Sequence, residues 1–376
     1  MIFPECGLAI TGWGVLSPIG IDRASFVSGF HEKVRGARPA PAGAGGPLPY
    51  AEVFHIPEFD TAKALGSKGT RSMDRTTGMA VATVGMALEH SGVDVAAAAG
   101  RIGVVLGTST GSIKSITDFT RDTWVQDRPY LVNPAHFPNT VMNCAAGHCA
   151  IWHKLRGINA TISGGHASAV LALNYASLAI RRGYADTLLV GGVEEFCEQS
   201  AWGHFRTGGT DGDNAPGEGC AVFVVERGEL ASASGRKVIA EVLACELAIY
   251  PPDEQAGGDS QADGLARCIR RALGKNGLDP ADVGAVSPCH RSEPGLRAVE
   301  DSAIRQVFGS GEPPELLRMS GMVGDCFSAS AALQMAGLLG WLSLAPQDRP
   351  GYGLLTSITR EGTVGCVLLR GPGEGS

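Results

Sequence analysis

Apolar and polar positions fall into blocks along this chain, and the blocks make two similar rounds. Gly7–Leu16 is a nearly unbroken apolar run closing on Ser17-Pro18-Ile19-Gly20, a strand followed by a turn. Thr76–Ser91 carries apolar side chains at helical spacing and stops before Gly92. Ile102–Leu106 is a second buried strand, followed by Gly107-Thr108-Ser109-Thr110-Gly111 and a helix to about Trp124. A helix over Ala145–Lys154 ends near Gly157. Strand Asn159–Ser163 then leads into a helix over His166–Arg182, and strands follow at Thr187–Val193 and Cys220–Glu226. Arg38–Pro49, rich in Pro, Gly and Ala, and Arg206–Gly219, rich in Gly and Asp, read as loops.

The second round has strands at Val238–Leu247 and Val283–Ser287, helices at Gln261–Lys275, Arg297–Phe308 and Ala329–Leu344, and a closing strand pair, Gly353–Ile358 with Val364–Arg370. This alternation predicts an α/β protein with mainly parallel sheets covered by helices. Ala329–Leu344 has almost no polar face, so it must be buried on all sides. Helices sandwiched between two sheets meet that demand, whereas one doubly wound sheet does not. The rounds divide the chain at 1–229 and 230–376 within a single integrated unit.

Composition narrows the partners. Apolar residues make up 44% of the 376 positions and charged ones 18%, as suits a large, mostly buried fold. A net charge of −7 without a Lys/Arg block argues against nucleic acid; an acidic carrier protein would need a local basic patch, supplied by another subunit. Ten cysteines are scattered through apolar runs with no C-x-x-C pair, which reads as buried, reduced thiols. The opening Met1-Ile2-Phe3-Pro4-Glu5-Cys6 lacks the charged region of a leader, and no apolar run approaches about 20 residues. A soluble cytoplasmic protein that does not enter a membrane is expected. His136 and His148 stand alone without a second ligand at metal spacing, so they read as structural; neither a metal nor a cofactor is expected.

Two stretches carry candidate chemistry. Asn159-Ala-Thr-Ile-Ser-Gly-Gly-His166-Ala-Ser168 reads as strand, small-residue turn and helix start. Such an elbow presents its first helical side chain beside free backbone N–H groups and the positive helix end, where a thiolate nucleophile would be activated. A histidine, His166, occupies that position. The run Gly107–Gly111 fits G-x-S-x-G between strand and helix, the nucleophile elbow of a serine hydrolase. There Ser109 would attack, with His290 and an acid such as Glu226 available. No His-Gly-Gly-Gly oxyanion element precedes it.

Taken in order, Ile10-Thr-Gly-Trp-Gly-Val-Leu-Ser-Pro-Ile-Gly20, Met73-Asp74-Arg75, Ala145-Ala-Gly-His148, Leu155-Arg-Gly157, Gly191-Gly-Val-Glu194 and Pro216-Gly-Glu-Gly219 resemble the β-ketoacyl synthases across nearly the whole chain. The resemblance implies the thiolase fold: a five-layered αβαβα sandwich of two related halves, dimeric through the strand near Asn159–Ser163. It also makes Glu194 and Glu218 structural carboxylates and Met73-Asp74-Arg75 a scaffold ion pair.

Active members use a Cys nucleophile and two histidines to decarboxylate a malonyl unit and stabilise its enolate. By the resemblance, the nucleophile position here is His166. The first histidine falls on Cys289 in Val286-Ser-Pro-Cys-His-Arg-Ser-Glu-Pro294, and the second on Asp325 in Met322-Val-Gly-Asp-Cys-Phe-Ser328. A usual lysine is Ser320, and the glycine-rich loop that carries a gating Phe has become Ser357-Ile-Thr-Arg-Glu-Gly-Thr363. An imidazole forms only a labile acyl intermediate, and an ionised Asp325 would repel an enolate. One lost donor costs on the order of 10²–10³ in rate.

Decarboxylase-like members keep the histidines, so that branch does not fit. The chain-length factors do: they keep the scaffold, lack the nucleophile and pair with a true ketosynthase in type II polyketide and polyene systems, closing its acyl tunnel. Their usual residue at the nucleophile position is Gln, so His166 is a departure. The partner subunit would supply the Cys and most of the acyl carrier protein contact. Tunnel length would be set on the helix after Gly111, where Ile113, Ile116 and Thr120 share one face. Aromatic-polyketide factors carry bulkier rings there, so smaller residues imply a longer tunnel suited to an extended polyene. The rivals are an active acyltransferase in which a Cys289 thiolate pairs with His166, and the Ser109 hydrolase.

Overall fold

The computed structural model describes residues 7–43, 46–250, 259–289, 294–309, 311–344 and 351–372. Strands form at Leu8–Leu16 (β1), Arg38–Pro39 (β2), Glu52–Val53 (β3), Ile102–Gly107 (β4), Asn159–Ile162 (β5) and Thr187–Glu194 (β6). They continue at Gly219–Arg227 (β7), Ala240–Ile249 (β8), Val283–Ser287 (β9), Glu315–Leu316 (β10), Tyr352–Ile358 (β11) and Thr363–Arg370 (β12). The two short strands β2 and β3 pair with each other; the other ten make one sheet in the order β10-β9-β11-β12-β8-β1-β7-β6-β4-β5.

That order contains a repetition. Counting the five long-sheet strands of each round in sequence, both halves run third-second-fourth-fifth-first. Both also share directions: third and fourth lie parallel to the second, while the fifth is antiparallel to fourth and first. The halves meet in the sheet where Leu8–Ile10 pairs with Ala240–Val242.

The expectation of mainly parallel sheets is corrected here, since five of the nine neighbouring pairs are antiparallel. Apolar patterning marks a buried strand without giving its direction. The short turn between β11 and β12, closed by Gly362 N–H to Thr359 O at 3.1 Å, cannot cross the sheet, so β12 must return antiparallel.

The three larger cores lie among five layers. Helices Ser168–Arg181 and Ser330–Leu344 share the middle core with strands of both halves. Arg75–Ser91 and Cys144–His153 cover the first half from outside, and Asp259–Lys275 with Pro294–Phe308 cover the second. This is the thiolase fold, and the helix with no polar face lies in its middle layer. Asp74 caps the helix Arg75–Ser91, accepting from Thr77 N–H at 2.7 Å, while Arg75 forks onto Glu218 at 2.6 and 2.7 Å. Helix Ser168–Arg181 lies so close to β4 that a Cβ on Gly107 would sit 2.7 Å from the Ser168 carbonyl carbon.

The sheet ends on β5, whose side chains are half-buried to exposed. Nearby in sequence, the segment 113–142 leaves Trp124 (84% exposed), Val125, Tyr130, Leu131 and Phe137 in solvent. Among the described residues no helix is long and apolar enough to cross a membrane.

Candidate functional site

After β5 the chain turns at Gly165, whose φ of +56° lies in the left-handed region that favours glycine. A 3₁₀ turn, Gly165–Ala167, passes directly into helix Ser168–Arg181 and places His166 at its head. Ser168 Oγ fixes the bend, accepting from Gly164 N–H at 3.0 Å and donating to Gly165 O at 2.6 Å.

The second half leads into Ser330–Leu344 in the same way, through the turn Phe327–Ala329. Phe327 takes the bend at φ +44°, a conformation costing about 1–3 kcal/mol in a non-glycine residue and concentrated at functional sites.

The two helix-leading turns face each other. His166, Cys289, Ser320 and Asp325, drawn from widely separated segments, all line one cavity. The positions that the family resemblance marks as catalytic are thus brought together. The cavity's volume is about 10 Å³, room for roughly one water molecule.

His166 Nε2 donates to Asp325 Oδ1 at 2.8 Å, and the Phe327 N–H donates to the same oxygen at 2.9 Å. Asp325 Oδ2 faces His204 Nε2 at 3.6 Å, an electrostatic contact. His204 Nδ1 lies 2.6 Å from Tyr50 Oη. All four side chains are buried, and Phe327 packs its ring 5.5 Å from both imidazoles. Burial, with Asp211 and Asp325 nearby, pushes the Tyr50 phenol up to about 12, so it remains an O–H donor.

Cys289 reaches this cavity from the end of β9, its N–H donating to the buried Glu300 at 2.8 Å. The Nε2 of His166 is held by Asp325 rather than by Cys289.

Ser109 is placed elsewhere. Its N–H donates to Glu194 at 3.2 Å, its carbonyl accepts from Ser163 Oγ at 2.9 Å, and the helix waits until Ile113, capped by Ser112. Glu226 is committed to Thr11 and Arg236, and His290 lies outside the described residues.

In helix Ile113–Val125, Ile113 and Ile116 are half-buried and Thr120 is exposed. His136 and His148 make local contacts, to Asn133 at 3.4 Å and to the Cys144 carbonyl at 3.1 Å. No disulfide links the described cysteines, and burial pushes Cys220 and Cys245 up to about 12. Among the described residues no His/Cys/Asp/Glu group could hold a metal.

Sequence reading finds His166, Cys289, Ser320 and Asp325 but neither His204 nor Tyr50. His204 lies on Glu198–Arg206, a helix without an apolar stripe, and Tyr50 follows a stretch read as surface loop. Their separation of 154 positions leaves no local signal.

A duplicated half-sheet wrapped around two central helices, with a pocket where strand turns into helix, defines a thiolase-fold condensing-enzyme scaffold. The chain belongs to the β-ketoacyl synthase family: its N-terminal domain matches residues 7–231 and its C-terminal domain residues 240–344. The 3-oxoacyl-[acyl-carrier-protein] synthase 2 of Coxiella burnetii is 24% identical over 87% of this chain and 83% of its own. The actinorhodin polyketide putative beta-ketoacyl synthase 2 of Streptomyces coelicolor is 27% identical, covering 96% and 91%. Among solved structures, "the ishigamide ketosynthase/chain length factor" superposes with a TM-score of 0.83 at 36% identity, covering 98% of this chain and 100% of that one. A type II polyketide ketosynthase bound to its acyl-carrier protein shares the fold, with a TM-score of 0.81 at 20% identity over 98% and 99%.

Proposed function

We propose that this chain is a chain-length factor: a non-catalytic subunit that pairs with a ketosynthase and shapes the tunnel for its growing acyl chain. The observation that carries the reading is the filled elbow. Where a condensing enzyme needs a thiolate, an enolate-stabilising donor and room for an acyl group, this chain has an imidazole bonded to a carboxylate beside about 10 Å³ of space. Asp325 offers negative charge where the enolate oxygen would develop, which raises the barrier.

The open edge β5 and the apolar segment 113–142 suit the partner's side of the pair, and Ile113, Ile116 and Thr120 are the tunnel-setting positions. Without rings at Ile116 and Thr120 the tunnel suits an extended polyene. The Cys and most of the acyl carrier protein contact belong to the partner, as does the condensation itself. Likeness to the ishigamide ketosynthase/chain length factor supports this reading, as does the absence of a Cys at the elbow.

The test is reconstitution. The pair of this chain with a Cys-His-His ketosynthase condenses malonyl units on a carrier protein; this chain alone does not, and replacing the partner's nucleophilic Cys abolishes turnover. Condensation by a homodimer of this chain would overturn the reading.

A further inference from the structure

The smallness of the elbow cavity has a built cause. Tyr50, His204, Asp325 and His166 come from four separate places: the stretch before β3, helix Glu198–Arg206, the segment before helix Ser330–Leu344, and the elbow turn. They stand in a row, with close polar contacts at Tyr50–His204 and His166–Asp325 and an electrostatic contact between His204 and Asp325. We propose that these four side chains form one latch that shuts this subunit's own elbow pocket against an acyl chain, with Tyr50 and His204 as the positioning residues that hold Asp325 against His166. The proposal rests on the reading of the chain as the non-catalytic half of a pair, and it adds how the unused pocket is kept out of the acyl path.

A carboxylate only 6% exposed persists when its oxygens meet donors. Asp325 Oδ1 has two, His166 Nε2–H and Phe327 N–H. With Tyr50 O–H taken as the donor to His204 Nδ1, the proton of that ring is assigned to Nε2, the atom facing Asp325 Oδ2. The backbone of Asp325 is clamped as well: its N–H donates to Ala215 O at 2.9 Å and its carbonyl accepts from Gly217 N–H at 2.7 Å. His204 Nε2, 3.6 Å from Asp325 Oδ2, limits how far the carboxylate can turn from His166, and the Phe327 ring packs against both imidazoles. An acyl group arriving at the elbow would have to break the His166–Asp325 bond and move that ring.

Cys289 reports on the latch because it lines the cavity and is 9% exposed. The purified pair of this chain with its ketosynthase is treated with N-ethylmaleimide, and modification of each cysteine is followed by peptide mass spectrometry. In His204→Ala, Cys289 is expected to react about fivefold faster than in the native chain, as one buried electrostatic contact is lost. Tyr50→Phe gives a smaller rise, while the core thiols Cys149, Cys220 and Cys366 stay protected. Nitrogen-15 NMR of the histidines adds a readout that loose packing would not give: His204 Nδ1 is an unprotonated acceptor in the native chain and loses that signature in Tyr50→Phe.

A Cys289 rate within about twofold of native in both variants, with the core thiols protected, overturns the latch. If His204→Ala exposes the core thiols too, it has unfolded, and Tyr50→Phe, which removes only a hydroxyl, decides alone. Condensation by this chain without a partner would overturn the non-catalytic reading whatever the labelling shows. An unchanged Cys289 rate in a chain that stays inactive alone removes only the latch.

Discussion

Glu194 closes β6 with its carboxyl wholly inside the protein, accepting from Ser328 Oγ and from the Ser109 N–H. Burial outweighs these bonds and pushes its pKa from 4.5 to about 7. Between those two values the folded chain holds a proton that the unfolded chain has released. Stability is therefore full below about 4.5, falls as pH rises through the window, and levels off above about 7. A gap of this size is worth about 3 kcal/mol. Glu194→Gln stays neutral throughout, so its urea midpoint should exceed the native one at pH 8 and approach it at pH 4.5. An equal offset at both would show that Glu194 does not titrate in this range. At this scale the sequence marks residues that sit in motifs. His166, Cys289 and Asp325 are found because ordered segments locate them, whereas Tyr50 and His204 matter through a contact spanning 154 residues and carry no motif.

Helix Ile113–Val125 has an apolar side that no core of its own subunit fully covers, since none of its residues is buried. Ile116→Phe or Thr120→Phe would place a ring on the face proposed to set tunnel length. Reconstituted pairs carrying either change are expected to make shorter products, read by mass spectrometry of the released chains; an unchanged length distribution refutes the assignment. Helices with a clear cap and period are legible in the sequence: Arg75–Ser91 begins at Asp74 and ends at a left-handed Gly92, close to the expected bounds. Glu198–Arg206 is not. Its N-cap is Cys197, an unusual capping residue, and its large side chains Trp202 and Phe205 are partly exposed rather than aligned on a core. Strand positions are legible as well, but not their directions, because a fully buried strand looks alike in either sense.

At the scale of the whole molecule, the proposed pairing would use the free edge of β5. The Ile158 and Ile162 carbonyls accept from Val104 and Thr108 N–H, so by the alternation of a strand Thr161 N–H points to the open side. Thr161→Pro removes that donor while leaving the β4–β5 ladder in place, as proline permits at an edge. The variant should keep its melting temperature within a few degrees and lose co-purification with the ketosynthase; retained pairing would place the interface elsewhere. The repeated strand order has a consequence for assembly. Two equal halves would end in two equal open edges, and copies could add at both to build an endless fibre. The first half ends in the four residues of β5, but its counterpart β10 is only two residues long, Glu315–Leu316, and among the described residues pairs with β9 alone. If pairing uses β5 as proposed, the two-residue edge at the other end gives a further copy little to add to, and assembly is expected to stop at the pair.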